Sequence, residues 1–330
     1  MTAQEILNVL RAAVVADALG VPVEMKARGT FQLTGMTGHG SWDQPTGSWS
    51  DDSSMTLCLL ANINEQGSYA DLMDKFERYM MTGAYTPTGT TFDVGRTCAH
   101  AVRQYAINHI EPLHCGDTAG NANGNGALMR IAPLALVLKN EDNQDNRFAV
   151  IHNYTVVTHG HLRAIMGSFI YIELLRDLMM GMSLRQALSH VQEALITFVA
   201  THEKFASEAA TYQRLFTPRF QQLPATAIRS TGYVVDTLEA AVWIALNHHD
   251  LATGILAAAN LGSDSDTVAT VAASLMAFER PQQSVPTDWW DQTLNHELLD
   301  HMMQRSRPSL GRKNDELTRK ICLYGDWTAL

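Results

Sequence analysis

An apolar repeat with helical spacing recurs along almost the whole chain, and it constrains the fold more than any other feature. In residues 3–19, for example, apolar positions recur every three or four residues, as on the buried stripe of an amphipathic helix. No long segment alternates with the period of two that marks a half-buried strand. The segments with the helical pattern are 3–19, 53–66, 69–82, 93–107, 126–138, 147–158, 161–180, 184–200, 203–216, 234–247, 251–260, 265–280 and 293–304. The sequence therefore predicts an all-α protein of about a dozen helices.

Composition favours one compact domain. Apolar residues make up 46% of the chain, which is ample material for a core, and charged residues make up only 18%, below the usual value of about 25%. No internal repeat, linker or low-complexity tract divides the sequence. We therefore predict a single domain spanning residues 1–330.

Charge and cysteine usage limit the partners and the compartment. The net charge is −10 and the cationic residues are scattered, so nucleic acid is not an expected partner. The apolar stretch 6–23 is interrupted by Arg11 and Asp17 and lacks a basic region before it, so we predict neither a signal peptide nor a membrane contact. No CxxC pair is present, which favours free thiols in a reducing, cytoplasmic setting over a zinc site. The cysteines are Cys58, Cys98, Cys115 and Cys322.

Two short acidic clusters lie far apart in the chain, and each precedes an apolar, helix-patterned segment. They are Ser50-Asp51-Asp52-Ser53 and Asp264-Ser265-Asp266-Thr267. Carboxylate and hydroxyl oxygens are the ligands that hard divalent cations prefer, and two such clusters brought together by folding would form a two-metal site. The alternative is that both are simple helix N-caps, because Ser and Asp favour that position.

A third segment, 120–130, is rich in glycine and asparagine and precedes another helical pattern. Glycine lets the backbone approach a ligand closely, and the N–H groups at a helix N-terminus suit phosphate. The same residue types also form ordinary turns, because both tolerate left-handed backbone conformations. The segment is therefore a candidate phosphate loop with a turn as its alternative.

The three segments described above, together with further short motifs, resemble the ADP-ribosylglycohydrolase family. The resemblance is strongest to its bacterial branch, the dinitrogenase-reductase-activating glycohydrolases. The matches follow the family order along nearly the whole chain. They are Asp17-Ala18-Leu19-Gly20 with Glu24, Ser50-Asp51-Asp52-Ser53, Asp93-Val94-Gly95, Gly124-Asn125-Gly126 with Met129-Arg130, Thr158-His159, Thr231-Gly232-Tyr233-Val234 with Asp236-Thr237-Leu238, and Asn260-Leu261-Gly262 with Asp264, Asp266 and Thr267. The chain departs from the family pattern with Ala16 before Asp17 and with serine for threonine at Ser50 and Ser53.

The resemblance implies a compact domain of orthogonal helices around a cleft that holds two divalent cations, Mg²⁺ or Mn²⁺. Glu24 would reach the metals from the first loop, and Ser50 keeps the ligating hydroxyl of the family's threonine. The implied metal ligands are Ser50, Asp51 and Asp52 on one side and Asp264, Asp266 and Thr267 on the other.

The resemblance also implies where catalysis and substrate binding occur. Asp93 and Glu24 are the candidates for the carboxylate that guides the proton, and Asp93 is favoured for an arginine linkage. The diphosphate of ADP-ribose would lie near His159 and the Gly124, Asn125 and Gly126 loop, and the adenosine near Tyr233. Arg130 either forms an internal ion pair or contacts phosphate. Asp17 lies on a buried stripe, so it needs a partner and would act indirectly.

The leading hypothesis is a two-metal hydrolase that removes ADP-ribose from modified side chains, above all arginine, and so reverses mono-ADP-ribosylation. Its partner would be an ADP-ribosylated protein. The alternative is an antitoxin or immunity-type binding protein. It would block a cognate ADP-ribosyltransferase, or hold ADP-ribose, with or without hydrolysis.

Overall fold

The computed structural model describes residues 1–311 and contains fourteen α-helices in that range. They are α1 (Ala3–Gly20), α2 (Asp51–Glu65), α3 (Tyr69–Thr82), α4 (Arg96–Ala106), α5 (Pro133–Val137), α6 (Gln144–Val156), α7 (Leu162–Met179), α8 (Leu184–Thr201), α9 (Ala206–Ala210), α10 (Val234–Asn247), α11 (Leu251–Ala259), α12 (Ser265–Glu279), α13 (Thr287–Gln292) and α14 (His296–Gly311). Within the described residues, β-structure is limited to three isolated bridges. The predicted all-α fold is confirmed. Cys322 lies outside the described residues.

Helices α1 and α12 pack along each other at the centre of the molecule, and α2, α7, α10 and α11 surround them. Alanines such as Ala12, Ala16 and Ala272 are fully buried where they let the helices approach closely. The last turn of α1 reaches the first turn of α12, where the Ser265 hydroxyl donates to the Gly20 carbonyl at 3.0 Å. This contact brings the loop after α1 to the second acidic cluster.

One described helical stretch, Ala3–Val23, is long and apolar enough to cross a membrane by length and composition alone. Its apolar window is 89% buried within the protein. Core helices pass the same test, and α1 lies in the core.

Three differences from the predicted helices have physical reasons. Helix α5 begins only at Pro133, although the helical pattern starts at residue 126. Residues 127–131 are buried on all sides, so their apolar run does not mark one face of an amphipathic helix. The segment 203–216 is broken into α9 between two 3₁₀ turns, which share its spacing of three to four residues. Helix α13, only six residues long, was not predicted.

Candidate active site

The two acidic clusters meet at the N-terminal ends of α2 and α12. The Thr267 hydroxyl donates to Asp52 Oδ2 at 3.0 Å across 215 residues of sequence. Ser50 caps α2, because its hydroxyl accepts from the Asp52 N–H at 3.3 Å. Asp264 occupies the N-cap position of α12, and its Oδ2 accepts from the Asn125 amide at 2.7 Å. The cap interpretation therefore holds for Ser50, and the fold also brings the two clusters together as the metal hypothesis requires.

Asp17 holds the first cluster in place from behind. It is fully buried at the end of α1, and its carboxylate accepts from the backbone N–H groups of Ser50 and Ser53 at 2.9 Å each. Burial raises the pKa of Asp17 to about 6, against the opposing effect of these hydrogen bonds. Asp17, which was predicted to lie on a buried stripe and to need a partner, thus has two hydrogen-bond donors. It affects the site indirectly, by fixing the start of α2.

The acidic residues offer an oxygen-rich site for a metal ion. One carboxylate oxygen each from Glu24, Asp264 and Asp266 lie within 4.8 Å of one another. Two buried carboxylate oxygens, Asp52 Oδ1 and Asp266 Oδ2, have no hydrogen-bond partner among the described residues. Buried carboxylates without partners are strongly unfavourable, and an all-oxygen donor set suits a hard divalent cation. The residues present therefore fit a divalent metal.

The protonation of these carboxyls supports the same interpretation. Burial, followed by the charge of neighbouring carboxylates, raises the pKa of Asp52 and Asp266 well above the usual range. Burial also raises the pKa of Asp51. This effect outweighs the hydrogen bond that the Gly95 N–H donates to Asp51 Oδ2 at 3.2 Å, which lowers the pKa. Without a bound cation, the cluster can reduce its mutual repulsion only by holding protons.

Glu24 and Asp93 form a second pair of carboxyls, which interact with each other beside the cluster. Burial, and then the neighbouring Asp93, raises the pKa of Glu24 to about 9. Burial, and then Asp51, raises the pKa of Asp93 to about 8. Such a pair retains a proton near neutral pH, which is the property required of a group that transfers protons during a reaction.

Asp93 does not cap the helix that follows it. Helix α4 begins at Arg96, and Gly95 occupies its N-cap position. Asp93 has a left-handed backbone with φ of +49°, outside the helix. The predicted helical segment 93–107 therefore begins too early, and Asp93 does not serve as the cap of α4.

An open cleft of about 220 Å³ joins the two carboxyl groups to the glycine-rich segment. Its lining combines acids with small residues and one histidine. The lining residues are Glu24, Asp51, Asp93, Gly95, Arg96, Thr97, Cys98, Gly124, Asn125, Gly126, Met129, His159, Gly232, Asp264 and Thr267. Both predicted catalytic acids thus lie in one cleft with the predicted phosphate loop. Ser50, Asp52 and Asp266 are buried beneath it.

The predicted phosphate loop is fixed by the chain that precedes α10. Gly124 forms an isolated antiparallel bridge with Tyr233, and the Asn125 N–H donates to the Gly232 carbonyl at 3.1 Å. A Cβ on Gly126 would lie 3.0 Å from His159 Cε1 and 2.9 Å from the Cys98 sulfur, so only glycine fits without displacement. The Asn125 side chain is used within the protein, because it donates to Asp264.

His159 is a neutral group in this wall. Its Nδ1 lies 2.9 Å from the Thr158 hydroxyl. Burial, and then the nearby Arg130 charge, lowers the pKa of His159 to about 3. The imidazole can therefore take part in hydrogen bonds but carries no positive charge towards a phosphate.

Arg130 is an internal residue, only 2% exposed. Its guanidinium donates to the carbonyls of Gly126 and Tyr154 and to the Thr158 hydroxyl. Among the side chains that the structure describes, up to residue 304, Arg130 has no carboxylate partner within ion-pair distance. Of the two alternatives for Arg130, the internal ion pair is wrong, since carbonyl and hydroxyl oxygens take the place of a carboxylate. Arg130 nevertheless supports the glycine-rich segment from inside, through the Gly126 carbonyl.

Tyr233 lies next to the cleft without lining it. Its phenol oxygen accepts from Arg163 at 3.0 Å, and Arg163 is in turn paired with Glu208 at 2.6 Å. Its half-buried ring is therefore fixed at the edge of the Gly124 loop. A role in adenosine binding stays a prediction.

Sequence reasoning missed Trp42, Phe92 and the cleft residue Arg96. The Trp42 indole N–H donates to Glu24 Oε2, and its ring centre lies 6.0 Å from that of Phe92. All three residues lie outside the acidic clusters, and no spacing in the sequence connects them. The only signal near Trp42 and Phe92 is that the segments 29–51 and 83–92 are rich in glycine and polar residues, which predicts irregular loops beside the site.

Comparison with known proteins gives a consistent result. The model of a family described as ADP-ribosylglycohydrolase matches residues 2–316. The chain is 28% identical over 294 residues to ADP-ribosylarginine hydrolase Tri1 of Serratia proteamaculans, covering 88% of this chain and 75% of that protein. It is 24% identical over 287 residues to the ADP-ribosyl-[dinitrogen reductase] glycohydrolase of Rhodospirillum rubrum, covering 83% and 85% of the two chains.

A solved structure described as an ADP-ribosylglycohydrolase-related protein complex has the same fold. It superposes with a TM-score of 0.75 at 28% identity, covering 94% of this chain and 98% of that chain. Because the family model spans nearly the whole sequence, and because the fold and the acidic cleft agree with it, the chain belongs to the ADP-ribosylglycohydrolase family and is a hydrolase of ADP-ribose glycosidic bonds.

Proposed function

We propose that this protein is a metal-dependent hydrolase that removes ADP-ribose from arginine side chains of modified proteins. The observation that carries the proposal is the meeting of the two acidic clusters beside the Glu24 and Asp93 pair in one cleft. Relatives named as ADP-ribosylarginine hydrolases support arginine as the linkage. The acidic lining supports it independently, because an arginine adduct is cationic, and a positive charge nearby favours the ionised form of a carboxyl, which attracts it.

The residues that would hold two cations, Mg²⁺ or Mn²⁺, are those of the two clusters together with Glu24. Asp52 and Asp266 are the strongest candidates, because each has a buried oxygen that lacks a partner among the described residues. When bound, such cations would polarise ribose hydroxyls and lower the pKa of water at the site. The candidate ligands are Glu24, Ser50, Asp51, Asp52, Asp264, Asp266 and Thr267.

The chain's own groups would supply proton transfer and orientation. Cleavage of the glycosidic bond passes through an oxocarbenium-like transition state, so the departing nitrogen must gain a proton and the attacking water must lose one. Asp93 and Glu24 are half-buried neighbours whose raised pKa values let them hold a proton near neutral pH. We assign them this proton handling, with Asp93 nearer the departing arginine.

The glycine-rich wall would bind the diphosphate. The backbone at Gly124 and Gly126 has no side chains that would hinder a phosphate group, and His159 lies beside it as a neutral hydrogen-bonding group. Tyr233 at the edge of the same loop would contact the adenosine. Free ADP-ribose is therefore expected to bind as a product analogue.

The test is release of ADP-ribose from an ADP-ribosylarginine protein, with a serine-linked ADP-ribosyl protein as the comparison. Turnover of the arginine linkage that stops with EDTA and returns with Mg²⁺ or Mn²⁺ is expected. Turnover that resists EDTA would contradict the metal requirement, and hydrolysis of the serine linkage alone would contradict the arginine assignment. ADP-ribose binding without any turnover would favour the alternative, a binding protein that blocks an ADP-ribosyltransferase.

A further inference from the structure

The short loop segment Gly40-Ser41-Trp42 lies directly on the chain that carries Glu24. Gly40 has φ of +71°, and a Cβ there would lie 2.0 Å from the Pro22 carbonyl oxygen. The Ser41 N–H donates to the same carbonyl at 3.1 Å, and the Ser41 hydroxyl donates to the carbonyl of Glu24. The backbone of this segment is therefore fixed relative to Glu24.

The Trp42 side chain contacts both segments that carry the coupled acids. Its indole N–H donates to Glu24 Oε2. Its ring lies 6.0 Å from the ring of Phe92, with the planes inclined by 50°, and Phe92 immediately precedes Asp93. One side chain thus bridges two segments that are distant in sequence.

Neither acid is held by a helix of its own. Glu24 follows a 3₁₀ turn, Val21–Val23, and Asp93 lies in the irregular segment before α4. On its other side the chain after Glu24 is fixed by the Met25 N–H, which donates to the Ser263 carbonyl at 2.6 Å beside the second acidic cluster. Carboxyls on loops keep a catalytic geometry only if neighbouring side chains hold them.

We propose that Trp42 is a positioning residue that holds the Glu24 carboxyl in register with Asp93. This inference rests on the proposed function, because it concerns the reaction of that site. The indole N–H fixes one oxygen of Glu24, and the ring contact with Phe92 fixes the separation of the two loops. Trp42 itself is not among the residues lining the cleft and takes no part in bond breaking.

The test is Trp42→Phe, which keeps an aromatic ring beside Phe92 and removes only the N–H donor. We expect kcat for ADP-ribosylarginine hydrolysis to fall by about 10- to 100-fold, because the hydrogen bond that orients the Glu24 carboxyl is lost and small displacements of catalytic groups are costly. KM, the affinity for ADP-ribose and the melting temperature should stay close to those of the wild type. Trp243→Phe is the matched control, because it removes an indole N–H that donates to the Leu223 carbonyl at 3.0 Å, near the far end of α10.

A double-mutant cycle separates positioning from packing. In a Glu24→Gln background, Trp42→Phe should lower kcat by less than threefold further, because the group through which it acts has already been changed. An equal loss of kcat in both backgrounds, or a kcat for Trp42→Phe equal to that of the wild type, would overturn the inference. Absence of turnover by the wild type would instead contradict the proposed function, and the inference with it.

Discussion

The substitution Asp93→Asn isolates the role of one carboxyl without disturbing the backbone around it. Asp93 has a left-handed φ of +49°, and asparagine adopts that conformation more readily than most residues. Gly95 occupies the cap position of α4, so no capping bond is lost. The change removes a carboxyl whose pKa burial and the neighbouring Asp51 raise to about 8. Loss of general acid–base catalysis lowers kcat by about 10²–10⁴-fold, or about 2.7–5.5 kcal/mol of transition-state stabilisation.

Single-turnover release of ADP-ribose from an ADP-ribosylarginine protein measures this effect directly. Asp43→Asn is a matched control, because Asp43 has a similar φ of +50° but an exposed side chain that pairs with His39. ADP-ribose affinity and melting temperature should match those of the wild type in both variants. Turnover by Asp93→Asn within threefold of the wild-type value would refute the reasoning and move the proton-handling role to Glu24.

Three further predictions concern the walls of the site and its charge. Asp17→Asn should lower the free energy of unfolding in urea by about 1–3 kcal/mol, because one buried N–H at the start of α2 loses its acceptor; an unchanged value would show that these hydrogen bonds contribute nothing. Gly126→Ala should weaken ADP-ribose binding by calorimetry at least tenfold, because the added Cβ meets His159 at 3.0 Å; wild-type affinity would refute the close-approach argument. The metal-free protein should become less stable from pH 5 to pH 9. In the folded state the pKa values of Asp93 and Glu24 lie near 8 and 9, whereas in the unfolded chain both are about 4. The folded state therefore binds more protons than the unfolded chain in that range, and its stability falls as the pH rises. Saturating Mg²⁺ should remove this decline, and a melting temperature that rises over the same range without metal would contradict it.

The sequence predicted the regular helices well, because their apolar stripes are visible locally. Helix α3 at Tyr69–Thr82 and α10 at Val234–Asn247 have the predicted bounds. Periodicity failed where the chain is buried all round, as before α5, or where short 3₁₀ turns copy the helical spacing, as around α9. In both places the spacing of apolar residues does not distinguish an α-helix from a 3₁₀ turn or an irregular segment.

The site was predicted from chemistry and family resemblance, since the contact between Asp52 and Thr267 spans 215 residues. Periodicity alone cannot pair residues at that distance. The interactions of Arg130 and Trp42 were not predictable. Arg130 finds carbonyl partners that any buried segment can offer, and Trp42 approaches Glu24 from an irregular loop whose path no local rule determines.

Anomalous diffraction from crystals soaked in Mn²⁺ tests the central claim, that the two acidic clusters form one metal site. We expect two anomalous peaks between α2 and α12, with Asp52 Oδ1 and Asp266 Oδ2 each within about 2.2 Å of a peak. These two oxygens are buried and lack partners among the described residues, so they are the atoms that a bound ion would satisfy. If the protein hydrolyses ADP-ribosylarginine but its crystals show no peak between the clusters at saturating Mn²⁺, the claim that the clusters form one metal site is contradicted.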